Sequence, residues 1–454
     1  MTPTRLSALD ASFLAVETPT AHMHVGWVAV FSAPAKGRLP RFSEVRDQIE
    51  LRLRHARRYR QKLAPVPLGL HAPQWVDDAG FSVDRHVYWA PGPLSDLVDE
   101  VMSMPLRRDR PLWEIWVCED AGDQQIALVG KSHHCMVDGI AAVELASLLL
   151  DPTPTPEPVA GEPDGWSAAA EPDAPQLLVG AVRDRVMEQL GLLRWPLRGV
   201  RSPSRVALEL TSAIPRVARA LQHSLRPAPA SPLNTPLSPS RRLVWAQRPL
   251  DDLRKVKRAY GTTVNDVLLA AVAGGVRTFL AERGHRPAPL KAMVPVNVRE
   301  DGDVLGNHVS FVFAELPCEE PDPVRRLRRT HETMTQRKRD RESEGADIAL
   351  KATEYAPGVL QHAISRIVAS PRTFNLVVSN IPGPAQQLYM CGCPLQVVYP
   401  VVPLADRHAL SVGMTSVCDR ACLGIYADRE AVPDAGRLAR DVDTAIGELL
   451  ATAH

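Results

Sequence analysis

The chain has 454 residues, 45% of them hydrophobic and 23% charged, and its formal net charge is +1. That length can bury large cores and suggests about three domains at ~150 residues each, while the composition is that of a globular protein and the near-neutral charge argues against a globally basic nucleic-acid binder. Seven cysteines, an odd number in so long a chain, do not form a disulfide framework; the Cys391-Gly392-Cys393 and Cys418/Cys422 spacings are not those of zinc sites, so no metal is expected. At the N-terminus no basic segment precedes an apolar run, because Asp10 and Glu17 interrupt it. No stretch reaches the ~18 apolar residues of a spanning helix. The expectation is a cytoplasmic protein, at most peripheral to a membrane.

In chain order, a segment at Asp10 to Phe13 precedes a strand at His24 to Phe31. Phe42, Val45, Ile49 and Leu53 then carry helical spacing over 41–55. Pro111-Leu112-Trp113 opens a hairpin, with strands at Trp113 to Glu119 and Gln125 to His133 around Asp120-Ala121-Gly122-Asp123. The second strand delivers His133 and His134 to a junction with a helix-forming stretch, Ile140 to Leu150, for which Asp138 is well placed as N-cap.

A held, neutral imidazole at such a junction can take a proton from a hydroxyl. The competing reading is a buried histidine pair bonded to backbone. A metal site lacks a second ligand cluster nearby. Cys135 as nucleophile is disfavoured, because neighbours on a strand point to opposite faces.

At Asp151 the composition shifts to Asp-Pro-Thr-Pro-Thr-Pro-Glu-Pro, an extended proline-rich segment continuing to about Gln176. Residues 177–225 read as helices broken at Pro196, Pro203 and Pro215, and between 177 and 226 nine arginines face three acids. This excess is either a solvated face bridging two domains or an interfacial patch for anionic head groups. A second proline-rich linker runs from Pro227 to Pro239.

The second half begins near Arg242, with a strand at Leu243 to Ala246. A helix follows from Thr263-Val264-Asn265-Asp266, where Thr263 or Asn265 could cap it. Strands are expected at Ala292 to Val298 and Val309 to Leu316, a charged helical region at 323–369, and a strand from Phe374 to Ser379 ending in the turn Asn380-Ile381-Pro382-Gly383-Pro384. Strands at 395–402, 409–417 and 421–427 precede a C-terminal helix from about Asp434. Pattern alone gives an α/β or α+β fold in two layered domains.

The sequence His133-His134-x-x-x-Asp138-Gly139 resembles the active-site motif of the CoA-dependent acyltransferase superfamily. Leu6 to Phe13, Met23-His24-Val25-Gly26, Pro111-Leu112-Trp113, Val264-Asn265-Asp266-Val267, Val294 to Arg299 and Ser379 to Pro384 narrow the resemblance to the bacterial wax ester synthase/acyl-CoA:diacylglycerol acyltransferase family, in that family's order and over nearly the whole chain. The resemblance implies two chloramphenicol-acetyltransferase-like domains facing across a tunnel. Their expected boundaries are 1–155 and 241–454, with residues 156–240 as a proline-rich and helical linker.

It implies transfer of a long acyl chain from acyl-CoA, a co-substrate with no further cofactor, to the hydroxyl of diacylglycerol or a fatty alcohol. The protein would work peripherally at a membrane or lipid-droplet surface. His134 would be the base and His133 a positioning residue. Gly139 would keep the passage past the imidazole clear, and Asp138 would pair with Arg299 rather than relay a proton, with helix capping the rival role for Asp138. Asn265 would donate to the oxyanion, and Pro111, Leu112, Trp113, Ser379 and Asn380 would shape the pocket. Two other readings are a carrier-protein- or polyketide-linked acyltransferase and a catalytically silent lipid-binding protein.

Overall fold

Alternating apolar residues make the strands and apolar residues at three- and four-residue spacing make the helices, and most of both lie where the patterns place them. The computed structural model describes residues 4–34, 36–54, 56–136, 148–155, 166–194, 227–297, 309–344 and 365–453. The described elements of the first half are β1 (Thr4–Arg5), α1 (Ala8–Val16), β2 (His24–Ser32), α2 (Phe42–Leu53), β3 (Gln61–Ala64), β4 (Gln74–Asp77), β5 (Val87–Ala90), α3 (Leu94–Ser103), β6 (Trp113–Cys118) and β7 (Gln125–His133). Helix α4 (Ala174–Arg194) follows the proline-rich segment. The second half holds β8 (Arg241–Pro249), α5 (Leu250–Tyr260), α6 (Val264–Glu282), β9 (Leu290–Asn297), β10 (Val309–Leu316), α7 (Pro323–Glu344), β11 (Leu376–Ile381), β12 (Tyr389–Met390), β13 (Cys393–Val401), β14 (Leu410–Val417), β15 (Arg420–Asp428) and α8 (Ala435–Ala451).

Two six-stranded sheets result, ordered β12-β13-β2-β7-β6-β5 and β10-β9-β11-β14-β15-β8, beside a small sheet β1-β4-β3. In the first, β2 and β7 are antiparallel with His24 opposite His133 and Trp27 opposite Gly130. The expected domain boundary needs one correction. Strands β12 and β13 lie far along the second half, yet β13 pairs with β2, setting Pro400 opposite Trp27. The second half is therefore not self-contained: it supplies an edge of the first sheet. Asp151, first residue of the proline-rich segment, is buried and exchanges backbone hydrogen bonds with Tyr389 of β12 at 2.8 and 2.9 Å.

The crossing strand is seated on the second sheet by glycines. A Cβ on Gly424 of β15 would lie 2.1 Å from the Pro400 carbonyl oxygen, and one on Gly413 of β14 would lie 2.9 Å from Pro400 Cγ. Backbone cannot swing aside as a side chain can. Gly424→Ala is thus expected to cost about 3 kcal/mol, the upper end for an inserted methyl, and to appear as a lowered melting temperature. An unchanged value would show that β13 is not held by this close approach.

Helix α3 joins the halves from the other side. Its Asp99 accepts from the Leu243 N–H at 3.0 Å and from Arg242 Nε at 3.2 Å, both on β8. Helix α6 is long and apolar enough to cross a membrane. Thirteen of its nineteen residues are buried, however, and it is the central helix over the second sheet. Thr263 and Asp266 close its N-terminus reciprocally, Thr263 N–H to Asp266 Oδ2 at 2.9 Å and Asp266 N–H to Thr263 Oγ1 at 3.1 Å.

Candidate active site

A cavity of about 330 Å³ lies between the two sheets. Its walls include α1, β2 and Leu128 of β7 from the first half, β9, β10, β11 and Thr415 of β14 from the second, the crossing strands β12 and β13, and Leu149 and Leu150. Strand alternation puts Val25, Trp27, Ala29 and Phe31 of β2 along it. With Met23, they line about 26 Å of strand at ~3.3 Å per residue, a length suited to a long apolar chain. Trp27 has room because a side chain at Gly130 would meet its indole at 2.2 Å.

His134 lies one residue past β7 and lines the cavity. Phe13 of α1 stacks on its ring, centroids 3.7 Å apart and planes at 10°. Its backbone N–H donates to the Met23 carbonyl at 3.0 Å. Met23 holds a left-handed φ of 51°, a conformation that non-glycine residues rarely adopt and that recurs where a site over-determines the backbone.

His133 is buried, 1% exposed, and faces away. Its Nδ1 accepts from the Cys135 N–H at 3.1 Å, so the two neighbours of His134 are pinned to each other. The proton then sits on Nε2, 3.7 Å from Glu17 Oε2, and Arg108 pairs with the same carboxylate oxygen. Burial outweighs Glu17 and lowers the His133 pKa, so this is a contact of neutral imidazole. His24 is edge-on to His133 at 6.3 Å, and burial, with Lys131 second, holds its pKa well below the usual value.

Cys135 is 2% exposed, burial pushes its thiol far up, and it is not among the lining residues, which removes the thiolate a nucleophile needs.

These histidines set a pH dependence. His24 and His133 are lowered from 6.5, and His86 to about 4, in each case first by burial. Below about 6.5 the unfolded chain takes up protons that the folded chain refuses, so stability rises with pH in this window. It is lost as pH falls from about 6.5 toward the folded values, by up to ~1.4 kcal/mol per pH unit per histidine. Melting temperatures at pH 7 and pH 5 should show the fall; a flat profile would mean that these imidazoles titrate freely.

Of the other expected site residues, Ser379 and Asn380 line the cavity. Val377, Ser379 and Ile381 alternate along β11 and all line it, so Ser379 directs its hydroxyl inward, while Leu376 and Val378 are buried on the other face. Pro111, Leu112 and Trp113 do not line it, which corrects their expected role. Leu112 and Trp113 are buried in the core of the first half. There the Leu112 carbonyl accepts the His133 N–H at 2.9 Å and Trp113 Nε1 donates to the Tyr59 carbonyl at 2.7 Å, so they brace the end of β7 rather than touch the cavity. Asn265, second residue of α6, is half-buried and is not among the lining residues either. Its neighbour Asp266 is the buried member of the pair, bonded to His331 Nδ1 at 2.8 Å. Asp138, Gly139 and Arg299 lie outside the described residues. Sequence reasoning missed Phe13, Glu17 and Met23, although Phe13 and Met23 fall inside stretches that carry the resemblance.

Residues 6–268 match the wax ester synthase/diacylglycerol acyltransferase catalytic domain, and residues 305–450 match the C-terminal domain of the same family. A probable diacylglycerol O-acyltransferase of Mycobacterium tuberculosis is 32% identical, covering 98% of this chain and 96% of its own. Among solved structures, the wax ester synthase/diacylglycerol acyltransferase of Marinobacter aquaeolei VT8 superposes with a TM-score of 0.70 at 27% identity, over 99% of both chains. The starter condensation domain of rhizomide synthetase shares the fold alone, with a TM-score of 0.59 at 15% identity over 100% of this chain and 95% of that one. With both domain models matched and a relative 32% identical over nearly the whole length of each chain, the chain belongs to the wax ester synthase/diacylglycerol acyltransferase family.

Proposed function

We propose that this protein moves a long-chain acyl group from acyl-CoA to the hydroxyl of diacylglycerol, making triacylglycerol, and accepts a long-chain alcohol as second acceptor, making a wax ester. The observation that carries the reading is the long apolar cavity between the sheets with a single stacked imidazole, His134, in its wall. Such a cavity takes acyl chains by burying apolar surface.

In the reaction, the His134 imidazole takes the acceptor's hydroxyl proton as that oxygen attacks the thioester carbonyl. The carbonyl electrons move onto oxygen, and the Ser379 hydroxyl, on the opposite wall, donates to the oxyanion. The carbonyl re-forms, the C–S bond breaks, and the departing CoA sulfur takes the proton from the imidazolium. No acyl-enzyme forms, and the electrons balance without a redox group. The acceptor is a lipid, so the protein works peripherally at the membrane or droplet surface that holds it.

The test is purified protein with palmitoyl-CoA and, separately, diacylglycerol, monoacylglycerol and hexadecanol, with products resolved by thin-layer chromatography and free thiol titrated. Triacylglycerol with matching thiol release supports the reading. Turnover of acyl groups from carrier-protein thioesters but not from CoA would overturn it.

A further inference from the structure

Among the described residues, four polar side chains interrupt the apolar lining of the cavity: His134, Ser379, Asn380 and Thr415. Acyl transfer as written above uses His134 and Ser379. Asn380 is half-buried. Thr415 is 6% exposed and serves no step of the transfer.

Thr415 stands on β14, which runs parallel to β11 with Gly413 beside Ser379 and Thr415 beside Ile381. Alternation turns positions 411, 413 and 415 to one face. That face meets the crossing strand and the cavity. The Ser411 hydroxyl donates to the Val402 carbonyl at 2.7 Å, and a Cβ at Gly413 would lie 2.9 Å from Pro400 Cγ and from Val402 Cγ2. Val412 and Met414 are buried on the other face. Thr415 therefore lies two residues further along the cavity wall than Ser379, a step of ~7 Å.

The Thr415 hydroxyl makes no hydrogen bond to a described residue. Its neighbours are satisfied: Ser411 bonds to Val402, and Ser416 Oγ accepts from the Gly383 N–H at 3.4 Å. Buried hydroxyls normally find a partner, and one open to a cavity can take its partner from a ligand. Gly383 keeps it open, since a Cβ there would lie 2.7 Å from Thr415 Oγ1.

We infer that the Thr415 hydroxyl donates to an ester carbonyl of the diacylglycerol acceptor and thereby selects diacylglycerol over a simple long-chain alcohol. This contact rests on the proposed function, whose acceptor is a diacylglycerol, and names the group that recognises it. When the free hydroxyl of the acceptor sits between His134 and Ser379, the ester on the neighbouring glycerol carbon is a few bonds away, one step along the wall. A fatty alcohol has only methylenes there and leaves the threonine unpaired, which weakens its binding.

The experiment compares two acceptors of one shape, dipalmitoylglycerol and its diether analogue dihexadecylglycerol, which lacks both ester carbonyls. Each is dispersed in detergent and assayed with palmitoyl-CoA by thiol release. Retention of each radiolabelled lipid by immobilised protein in the same detergent measures binding without acyl-CoA. Wild-type protein should show a kcat/KM about tenfold higher for the diester, the effect of one hydrogen bond, and the difference should lie in KM. Thr415→Val should bring that ratio close to one, and Thr415→Ser should keep it. Thr415→Val should melt at the same temperature or higher, because no protein group loses a partner.

Equal kcat/KM for the two lipids in wild-type protein, or a preference that survives in Thr415→Val, would overturn the contact and leave the acyl-transfer reading intact. So would a raised KM for palmitoyl-CoA in Thr415→Val with the acceptor ratio unchanged, which would give the hydroxyl to the donor. A lowered melting temperature with the ratio unchanged would give it to the fold. Tighter retention of the diester that Thr415→Val abolishes, with no turnover of any acceptor, would support the contact and sink the acyl-transfer reading.

Discussion

His134→Ala is expected to lower turnover by roughly 10²–10⁴, the usual share of a positioned general base, without unfolding the protein. The imidazole lines an open cavity and its removal leaves the strand pairing of β7 untouched, since the backbone N–H to Met23 remains. The loss should fall on kcat, with KM for acyl-CoA little changed, because the proton is accepted only as the bond forms. Cys135→Ala, one residue along, should keep most activity. Rates of thiol release for both variants, with circular dichroism to verify folding, decide the point. An active His134 variant beside a dead Cys135 variant would discard the mechanism.

Ser379→Ala should lower kcat by roughly 10²–10³, as for loss of one oxyanion donor in a water-poor site. Ser379 is 6% exposed and shares the cavity with His134, and serine to alanine removes only the hydroxyl. Stability should hardly move. Asn265→Ala is the comparison: Thr263 and Asp266 already close the N-terminus of α6, so this change, away from the lining residues, should cost little stability and leave turnover near normal. Full activity in Ser379→Ala with a large loss in Asn265→Ala would transfer the oxyanion role to the asparagine. Turnover and melting temperature measured on the same preparations separate the cases.

How much of this was legible before the fold was known depends on the kind of information each feature carries. Strand β2 announces itself by its apolar pattern, β6 and β7 by the turn at 120–123 between them, and α6 by its Thr263 start, because face, turn and capping are local properties. Helix α3 has apolar residues at Leu94, Leu97, Val98 and Val101, a helical spacing, yet it is missing from the sequence expectations; it lies between β5 and β6 and carries no motif of its own. Strand β13 was expected as a strand, but alternation encodes which side chains share a face, not which strand lies alongside. Its crossing to β2 is therefore invisible in the pattern. At the site, the His133-His134 pair was readable as a motif, whereas Glu17 and Met23 acquire meaning only from the pairing of His24 with His133. Trp113 shares a sheet face with Val25 through Ser132, but it stands two strands away, and alternation does not say how far along the sheet the cavity extends.

The crossing of β13 also sets a clock on biosynthesis. Strand β2 is complete once residue 32 is made, but the partner that covers its open edge ends at residue 401. At the usual ~5–20 residues per second the ribosome needs roughly 20–75 s to bridge that interval. Throughout it, a mostly buried-type strand, His-Val-Gly-Trp-Val-Ala-Val-Phe-Ser, presents unpaired backbone to the cell, and such an edge invites pairing with another chain. Truncations that end before Leu395 should accumulate as aggregates rather than as a soluble first domain.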